Sequence, residues 1–421
     1  METLTFLITS TFYPPYHLGG ACIQAKYLAE ELAKIGHEVH VLYSLDAYEV
    51  KKGAYRTKKR GHGLSDVHTH VIKTALNSSA YAAYFLGNSP AITKKFRTLV
   101  RQTRPDVVHH HNISLLGSPI LKKCGDYLNL YTAQDAWLIC QNGVLFKNGR
   151  EPCGNTNVTP LNMECLRCIL SNRRPLQIWR AADSFRRAVR QLDFIIAPSD
   201  YMKRKLLKQT QCLNIVMIPY FVPEPPGNIH SSGFSDFFLY AGRLDAPKGI
   251  VELIYLCKRG EFKLVVVGDG PLTDTVVALL RSNGLGDRIT YLGYVDSRVL
   301  YPLLRDANAL IIPSICGESS PQIAHEALSV GTPVIGSNNG GLPEIIEKID
   351  KSLIFSSFDE LNDIILGFSR NRYPSDEVRG VYDKYYSPRS YVESYKSLID
   401  RSANVSLNSP ESSVDRVTQE C

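Results

Sequence analysis

The sequence predicts an α/β protein made of two Rossmann-like, doubly wound domains that face each other across a cleft. Three observations predict this architecture. Short apolar runs alternate with helical patterns in both halves, a stretch rich in Pro, Gly and Ser separates the halves, and 421 residues exceed one ordinary domain. Apolar residues make up 44% of the chain and charged residues 21%, which suffices for two buried cores.

The first half begins with a βαβ unit. Thr3–Thr9 and Glu38–Tyr43 have the apolar character of strands, while Ala21–Ile35 between them carries apolar residues at helical spacing and ends before Gly36. Such a unit implies a parallel sheet covered by helices. Further strands are predicted at Asp106–His110, Leu128–Thr132, Phe194–Ala197 and Ile215–Pro219.

Pro219–Asp236 predicts the linker between the domains, because it is rich in Pro, Gly and Ser. The strand and helix patterns restart after it, so we expect a first domain over 1–220 and a second over 221–382. Helix 383–400, rich in aromatic residues, is expected to close back on the first domain, and the polar tail 401–421 to be disordered. Strands in the second half are predicted at Phe237–Ala241, Lys263–Val267, Ile289–Leu292, Ala309–Ile312 and Pro333–Gly336.

The net charge of +7 suggests an anionic partner, such as a phosphorylated small molecule or an acidic membrane surface, although a solvated basic surface also explains it. We find no recognisable nucleic-acid-binding module and expect no nucleic acid partner.

No apolar run is long enough for a transmembrane helix, and the start of the chain lacks the marks of a signal peptide. Ten cysteines in such a chain predict a cytoplasmic location with few or no disulfides.

The strand ends of the second half carry the sharpest chemical signal, because ligands of doubly wound sheets bind beyond the carboxyl ends of strands. Arg243 and Lys248 follow the first of these strands, after Gly242. A planar guanidinium and a point charge at one strand end suit a diphosphate, and a surface basic pair is the alternative. The next strand ends in the tight turn Gly268–Pro271, which lets a ligand approach the backbone.

Glu318 and Glu326 stand eight residues apart, and the second lies on a helix predicted to start near Pro321. Backbone N–H groups of Gln322 and Ile323 would then face an anion at the helix N-terminus. The carboxylate of Glu326 could accept hydrogen bonds from a ribose. Two solvated helix glutamates are the alternative.

The order and spacing of these motifs resemble the retaining GT-B glycosyltransferases, and more narrowly the large family that includes sucrose synthases and mannosyltransferases. The residues that carry the resemblance are Gly242-Arg243-Leu244 with Lys248-Gly249, Gly268–Pro271, Glu318 with Glu326, and Gly331–Glu344. Phe12–Pro15, followed by Gly19 and Gly20 before a helix, resembles the amino-terminal loop of that family. The similarity spans roughly residues 2 to 400.

The resemblance implies transfer of a sugar, expected to be a hexose, from a nucleoside diphosphate sugar to a glycan, lipid-linked or other cell-envelope acceptor. It implies retention at the anomeric carbon and no cofactor for catalysis, since the protein mainly positions reactants and stabilises charge. Arg243 and Lys248 would neutralise the departing diphosphate, and Glu318 would meet the donor sugar. The residues expected to bind the donor are Gly19, Gly20, Gly242, Gly268, Pro321, Gln322, Ile323 and Glu326.

Gln134 departs from the family pattern, because the family usually shows histidine at this place in a Thr-x-His-Asp stretch. That histidine is thought to touch the donor sugar, so Gln134 joins the candidate catalytic residues. Glutamine can donate and accept hydrogen bonds but carries no charge, so the donor contact is altered or activity is reduced. A catalytically silent nucleotide- or partner-binding subunit and a sugar-nucleotide epimerase or phosphorylase are the alternatives. A dehydrogenase is disfavoured, because neither first βα turn offers G-x-G-x-x-G.

His109 and His111 end a predicted strand and lie on one side of it by alternation, which suggests the acceptor pocket, with ordinary packing as the alternative. Cys140, Cys153, Cys165 and Cys168 lie in an insertion over 138–172 and could hold a structural zinc, with unligated thiols as the alternative.

Two basic segments suggest peripheral contact with the inner face of an anionic membrane. Lys51–His62 holds six Lys or Arg, and Arg173–Arg190 is Arg-rich. Each cation near such a surface adds about 1 kcal/mol. A solvated loop is the alternative.

Overall fold

Each half of the chain is built around one parallel β-sheet. The computed structural model describes residues 3–16, 20–51, 66–147, 151–153, 162–172, 177–210, 214–260, 262–282 and 287–407. Both sheets are covered by helices on their two faces, which explains why their central strands are continuous apolar runs rather than alternating ones. The predicted α/β class with two doubly wound domains is confirmed.

The first half holds nine strands in the described residues, of which the sixth and seventh form a separate antiparallel hairpin. The strands are β1 (Thr5–Thr9), β2 (Glu38–Ser44), β3 (Val67–Ile72), β4 (Val107–His110), β5 (Leu128–Thr132), β6 (Phe146–Lys147), β7 (Glu151–Pro152), β8 (Phe194–Ala197) and β9 (Ile215–Met217). The helices are α1 (Gly20–Lys34), α2 (Leu45–Lys51), α3 (Ser78–Leu86), α4 (Pro90–Thr103), α5 (Met163–Ser171), α6 (Asp183–Val189) and α7 (Asp200–Gln209).

The parallel sheet of the first half has the strand order β3-β2-β1-β4-β5-β8-β9. Strand β1 lies between β2 and β4, with Ile8 opposite Val41 and His109. Phe6 and Ile8 point to the face covered by α1, whereas Leu7 points to the opposite face and its separate core. The alternation of the strand thus buries side chains on both sides of the sheet.

The second half holds a six-stranded parallel sheet in the described residues, with the order β12-β11-β10-β13-β14-β15. Its strands are β10 (Phe238–Ala241), β11 (Leu264–Val267), β12 (Ile289–Gly293), β13 (Leu310–Ile312), β14 (Val334–Ser337) and β15 (Ile354–Phe355). The helices are α8 (Ile250–Arg259), α9 (Thr273–Ser282), α10 (Ser297–Asp306), α11 (Gln322–Ser329), α12 (Leu342–Ile346), α13 (Phe358–Leu366), α14 (Ser375–Tyr385) and α15 (Pro388–Leu407).

Every strand predicted from the sequence is present, with small shifts at the ends. Strands β3, β6, β7 and β15 were not predicted. In β3 the exposed polar residues at the edge of the sheet hide the apolar pattern. The linker predicted at Pro219–Asp236 contains no helix or strand. Its Phe221 carbonyl accepts a hydrogen bond of 2.7 Å from Nε2 of Gln24 in α1, which holds the linker against the first sheet.

The prediction of one closing helix over 383–400 is corrected by the structure. Helix α14 ends at Tyr385, and α15 begins at Pro388. Proline suits the first turn of a helix, because it has no backbone N–H that would need a partner. Tyr391, Tyr395 and Leu398 of α15 pack into the core of the first sheet. Residues 401–407, predicted as disordered tail, continue α15, and 408–421 lie outside the described residues.

Candidate active site

The loop after β10 brings two cations to one strand end. Arg243 follows the strand after Gly242, and Lys248 ends the short 3-10 turn Ala246–Lys248. The Nε of Arg243 lies 3.4 Å from the carboxylate of Asp245, and the hydroxyl of Tyr240 donates a hydrogen bond of 2.9 Å to the Arg243 carbonyl. The guanidinium is therefore held near the sheet edge by its own loop.

Lys248 forms a short ion pair with Oε1 of Glu318, which comes from the loop after β13. The same carboxylate oxygen accepts a hydrogen bond of 2.6 Å from the hydroxyl of Ser314. Burial by itself would raise the pKa of the Glu318 carboxyl, but the Lys248 ammonium and the Ser314 hydroxyl outweigh it and lower that pKa. Both members of the pair are thus charged at neutral pH, and sequence reasoning did not foresee that they bind each other.

The turn at Gly268 packs against the loop that carries Arg243. Gly268 has φ +140°, and a Cβ built there would lie 1.8 Å from the carbonyl oxygen of Gly242. A larger side chain is therefore excluded, and the two loops approach as backbone against backbone. The predicted donor residues Gly242 and Gly268 are in contact.

Helix α11 begins at Gln322, with Pro321 as its N-cap residue. The side chain of Gln322 reaches the start of α1, since a Cβ on Gly20 would lie 2.9 Å from its Oε1. The buried Nε2 of Gln322 has no hydrogen-bond partner among the described residues. Gly20 and Gln322 therefore meet across the two halves of the chain. Gly19 lies outside the described residues.

Glu326 lies one helical turn further along α11. Burial raises the pKa of its carboxyl from 4.5 to about 7. A buried carboxyl whose pKa is shifted close to neutral pH is typical of functional sites.

Gln134 lies in the loop after β5 and joins the first half of the chain to the second. Its backbone carbonyl accepts a hydrogen bond of 3.0 Å from the hydroxyl of Ser319, next to Glu318. Its side-chain Nε2 donates a hydrogen bond of 2.8 Å to Nδ1 of His111. The structure therefore brings Gln134 and His111 to the same place as Glu318.

His111 is neutral at physiological pH, because burial lowers its pKa to about 3. Its Nδ1 accepts from Gln134, so the proton of the neutral ring is on Nε2, for which the described residues supply no hydrogen-bond partner. His111 is consequently a hydrogen-bond donor beside the candidate site.

His109 does not fit the predicted acceptor pocket. It is fully buried, its Nε2 lies 2.7 Å from the hydroxyl of Thr132, and its Nδ1 lies 2.8 Å from the hydroxyl of Tyr395 in α15. Both ring nitrogens are thus occupied by the protein. The alternative of ordinary packing applies to His109, although its ring does lie on the same side as His111, with centroids 4.3 Å apart.

Glu344 is a contact between the halves that the sequence did not reveal. Its carboxylate accepts hydrogen bonds of 2.8 Å and 2.7 Å from the backbone N–H groups of Asp200 and Tyr201, at the N-terminus of α7. An acidic side chain stabilises the positive end of a helix dipole. The only sequence signal was its position at the end of the Gly331–Glu344 motif.

The four cysteines of the insertion line one pocket, together with Asn142, whose Nδ2 donates a hydrogen bond of 3.0 Å to Sγ of Cys168. Burial, with the neighbouring thiols, raises the pKa of the Cys165 thiol to about 11. Among the described residues, however, no three His, Cys, Asp or Glu side chains are grouped so that they could hold a metal ion. Cys140, Cys153, Cys165 and Cys168 therefore come together as predicted but, as placed, do not fit a zinc ion.

Only part of the two basic segments can be described. Lys51 ends α2, and residues 52–62 lie outside the described part of the chain. In the second segment, Arg180 is buried and donates a hydrogen bond of 3.0 Å to the carbonyl of Cys140, so it is not a surface cation, whereas Arg186 and Arg187 are exposed. In the part of the chain that the structure describes, no helix combines the length and the apolar character needed to cross a bilayer.

Two family models match the chain, one on each sheet. Residues 18–224 match Glycosyltransferase Family 4, and residues 230–379 match Glycosyl transferases group 1. The chain belongs to the GT-B glycosyltransferases. This glycosyltransferase is therefore an enzyme, and its candidate site combines residues from both matched regions.

One curated relative is also named as a glycosyltransferase, and two solved structures share the fold. An uncharacterized glycosyltransferase of Methanocaldococcus jannaschii is 27% identical over 352 residues, which cover 80% of each chain. Sucrose-phosphate synthase of Thermosynechococcus elongatus superposes with a TM-score of 0.70 at 17% identity, over 96% of this chain and 100% of that one. The HepE protein of Anabaena, in complex with UDP and glucose, gives 0.62 at 13% identity, over 96% and 100%. These two structures support the fold.

Proposed function

We propose that this glycosyltransferase moves a hexose, with retention of anomeric configuration, from a nucleoside diphosphate sugar to a glycan, lipid-linked or other cell-envelope acceptor. The observation that carries the proposal is the convergence of Arg243, Lys248 and Glu318 at neighbouring strand ends, next to Gln134 from the other half. Support for a nucleotide donor comes from HepE, a protein of the same fold that was solved with UDP and glucose.

In the proposed reaction the bond between the anomeric carbon and the diphosphate breaks, and a bond to the acceptor oxygen forms on the same face. The leaving phosphate takes the proton of the acceptor hydroxyl, so no protein nucleophile is needed. Arg243 and Lys248 stabilise the negative charge that develops on the diphosphate, because cations already in place cost little reorganisation during the reaction. The first N–H groups of α11, at Gln322 and Ile323, assist them.

In the structure Arg243 pairs with Asp245, and Lys248 pairs with Glu318. A diphosphate therefore competes with these carboxylates for the cations. In the proposal, Lys248 turns to the phosphate, and Glu318 is released to accept hydrogen bonds from hydroxyls of the donor sugar. Binding of the donor and arrangement of the sugar contacts are thereby coupled.

Glu326 is proposed to hold the ribose, and Gln134 with the Nε2–H of His111 to contact the donor sugar or the acceptor. The hydrogen bond between Gln134 and His111 supports this pairing, because it fixes which ring nitrogen of His111 carries the proton. No divalent metal is assigned to the reaction.

We also propose a cytoplasmic location with peripheral contact at the inner face of an anionic membrane, which the net charge of +7 supports.

The glutamine at position 134 favours a second candidate function, a catalytically silent subunit that binds a nucleotide or a partner glycosyltransferase. The cations at the strand ends favour nucleotide binding for the active enzyme and for the silent subunit alike. The two functions differ only in turnover.

Nucleotide-induced thermal stabilisation tests the proposal. UDP, GDP, ADP and dTDP are each added to the protein, to Arg243→Ala, and to Arg298→Ala as a control for an exposed cation elsewhere. We expect one nucleotide to raise Tm in the wild type and in the control but not in Arg243→Ala. No shift with any nucleotide would contradict the proposed donor. Nucleotide sugars that carry the base found by this screen are then assayed for transfer, which distinguishes an active enzyme from a catalytically silent subunit. The anomeric configuration of the product, determined by NMR, tests retention.

A further inference from the structure

An apolar surface projects from the first half of the chain at α3. Tyr81, Phe85 and Leu86 of this helix are exposed, and Leu76 just before it is 92% exposed. Residues 74–93 contain no charged side chain at all. Scattered exposed apolar residues are ordinary, whereas a contiguous group marks a contact surface.

The backbone holds Leu76 outward in a conformation that leucine rarely adopts. Leu76 and Asn77 have φ of 52° and 53°, in the left-handed region. The buried carboxylate of Asp46 fixes both ends of this turn: it accepts hydrogen bonds from the backbone N–H of Thr74, at 3.0 Å, and from the hydroxyl of Ser79, at 2.6 Å. A strained turn that is clamped by a buried charge and exposes a large apolar side chain points to a use for that side chain.

A second segment extends this surface. The indole N–H of Trp179 donates a hydrogen bond of 2.9 Å to the carbonyl of Tyr84 in α3, and the Trp179 ring lies against Gly87 at the end of that helix. Ile178, next to Trp179, is 67% exposed. We call the five side chains the apolar surface: Leu76, Tyr81, Phe85, Leu86 and Ile178.

The charged side chains of the segment from Lys73 to Arg104 are all cations. Between Asp66 and Asp106 the sequence contains no Asp or Glu. Helix α4 packs against α3, and all of its charged side chains are cations. The exposed cations of this segment are Lys73, Lys94, Lys95, Arg97, Arg101 and Arg104. The ammonium of Lys51 also lies here, 5.3 Å from the centre of the Tyr84 ring.

We propose that α3 and α4 dock on the surface of an anionic lipid bilayer. The apolar surface enters the boundary between headgroups and acyl chains, and the cations of α4 meet the lipid phosphates. Large apolar side chains beside cations that no acidic residue of the segment opposes are complementary to such a surface. The inference deepens the acceptor half of the function proposed above and rests on it for its purpose, since the surface would bring the enzyme to a lipid-linked acceptor.

Flotation of the full chain with vesicles tests the proposal. Vesicles of phosphatidylcholine alone are compared with vesicles that also contain phosphatidylglycerol. The apolar variant combines Leu76→Ser, Phe85→Ser and Leu86→Ser, and its control is Leu366→Ser in α13, a leucine that is 67% exposed. The charge variant combines Lys94→Glu and Lys95→Glu, and its control combines Lys34→Glu and Arg298→Glu elsewhere on the protein.

We expect the wild type and both controls to float with the anionic vesicles, and each test variant to partition at least about tenfold less. A wild type that floats with neither vesicle overturns the proposal. So does an apolar variant that floats like its control, or wild-type binding that is equal for neutral and anionic vesicles. Tm and the nucleotide-induced shift, measured without vesicles, report folding and the donor site separately, so failure of the donor proposal is distinguishable from failure of membrane docking.

Discussion

Lys248→Met removes the cation that neutralises Glu318 while keeping most of the apolar stem. The Glu318 side chain is 13% exposed and the Lys248 side chain 31%, so the pair is only partly open to water. Breaking a fully buried pair costs about 3–5 kcal/mol, because the remaining charge stays desolvated. Solvent contact at Lys248 and the 2.6 Å hydrogen bond from Ser314 reduce that figure, and we expect a loss of about 2 kcal/mol in the free energy of unfolding.

The double variant Lys248→Met with Glu318→Gln separates stability from function. It removes both charges at once, so most of the lost stability should return, since a neutral pair of similar volume replaces the ion pair. Turnover should stay at least about 100-fold below that of the wild type in both variants, because the diphosphate has lost a cation in either case. Urea denaturation measures the first quantity, and initial rates with the donor found by the nucleotide screen measure the second.

A single variant as stable as the wild type would show that Glu318 does not depend on Lys248 in the folded protein. Near-normal turnover by the double variant would remove both residues from the site. The exposed pair Arg389–Glu393, changed to Met and Gln, is the control and should alter stability by no more than about 1 kcal/mol.

The remaining predictions concern three other polar groups. Burial raises the pKa of Glu326 to about 7, so the folded protein keeps a proton that the unfolded chain releases above pH 4.5, and stability falls as pH rises from 4.5 to 7. Glu326→Gln should remove this fall, which is a gain of up to about 3 kcal/mol in the free energy of unfolding at pH 8, measured by urea denaturation. Glu344→Gln should cost about 1–2 kcal/mol, because its carboxylate accepts from Asp200 and Tyr201 at the positive end of α7. Gln134→His should change the ratio of kcat/KM between donor sugars but not the nucleotide affinity.

Each of these predictions has a result that contradicts it. Equal pH dependence of unfolding in Glu326→Gln and the wild type would mean that Glu326 does not titrate near neutrality. Glu347→Gln, on the exposed side next to α12, is the control for Glu344→Gln, and equal costs for both would rule out a special role of the contact with α7. Unchanged kinetic constants for Gln134→His would place residue 134 away from the donor.

The strands and the two-domain fold were predictable because their pattern is local and redundant. A strand of a doubly wound sheet is buried on both faces, so runs such as Leu264–Val267 are apolar at every position. Edge strand β3 was not predicted, because several of its side chains are exposed to water and it therefore lacks such an apolar run. Pro388 similarly marks a helix start that the aromatic pattern of 383–400 concealed.

The sequence by itself determined which residue types end the strands, because the topology of a doubly wound sheet sends those ends to one edge. Arg243, Lys248 and Glu318 were predicted as site residues in this way. Only the tertiary structure decided how they pair. The ion pair of Lys248 with Glu318 joins two loops, and the hydrogen bond between Ser319 and Gln134 joins the two halves of the chain. The hydroxyl of Tyr395 forms a hydrogen bond with His109, although the two residues are 286 positions apart in the sequence. Partners so distant along the chain leave no periodic signal, since only the packing of the folded sheets brings them within hydrogen-bond distance.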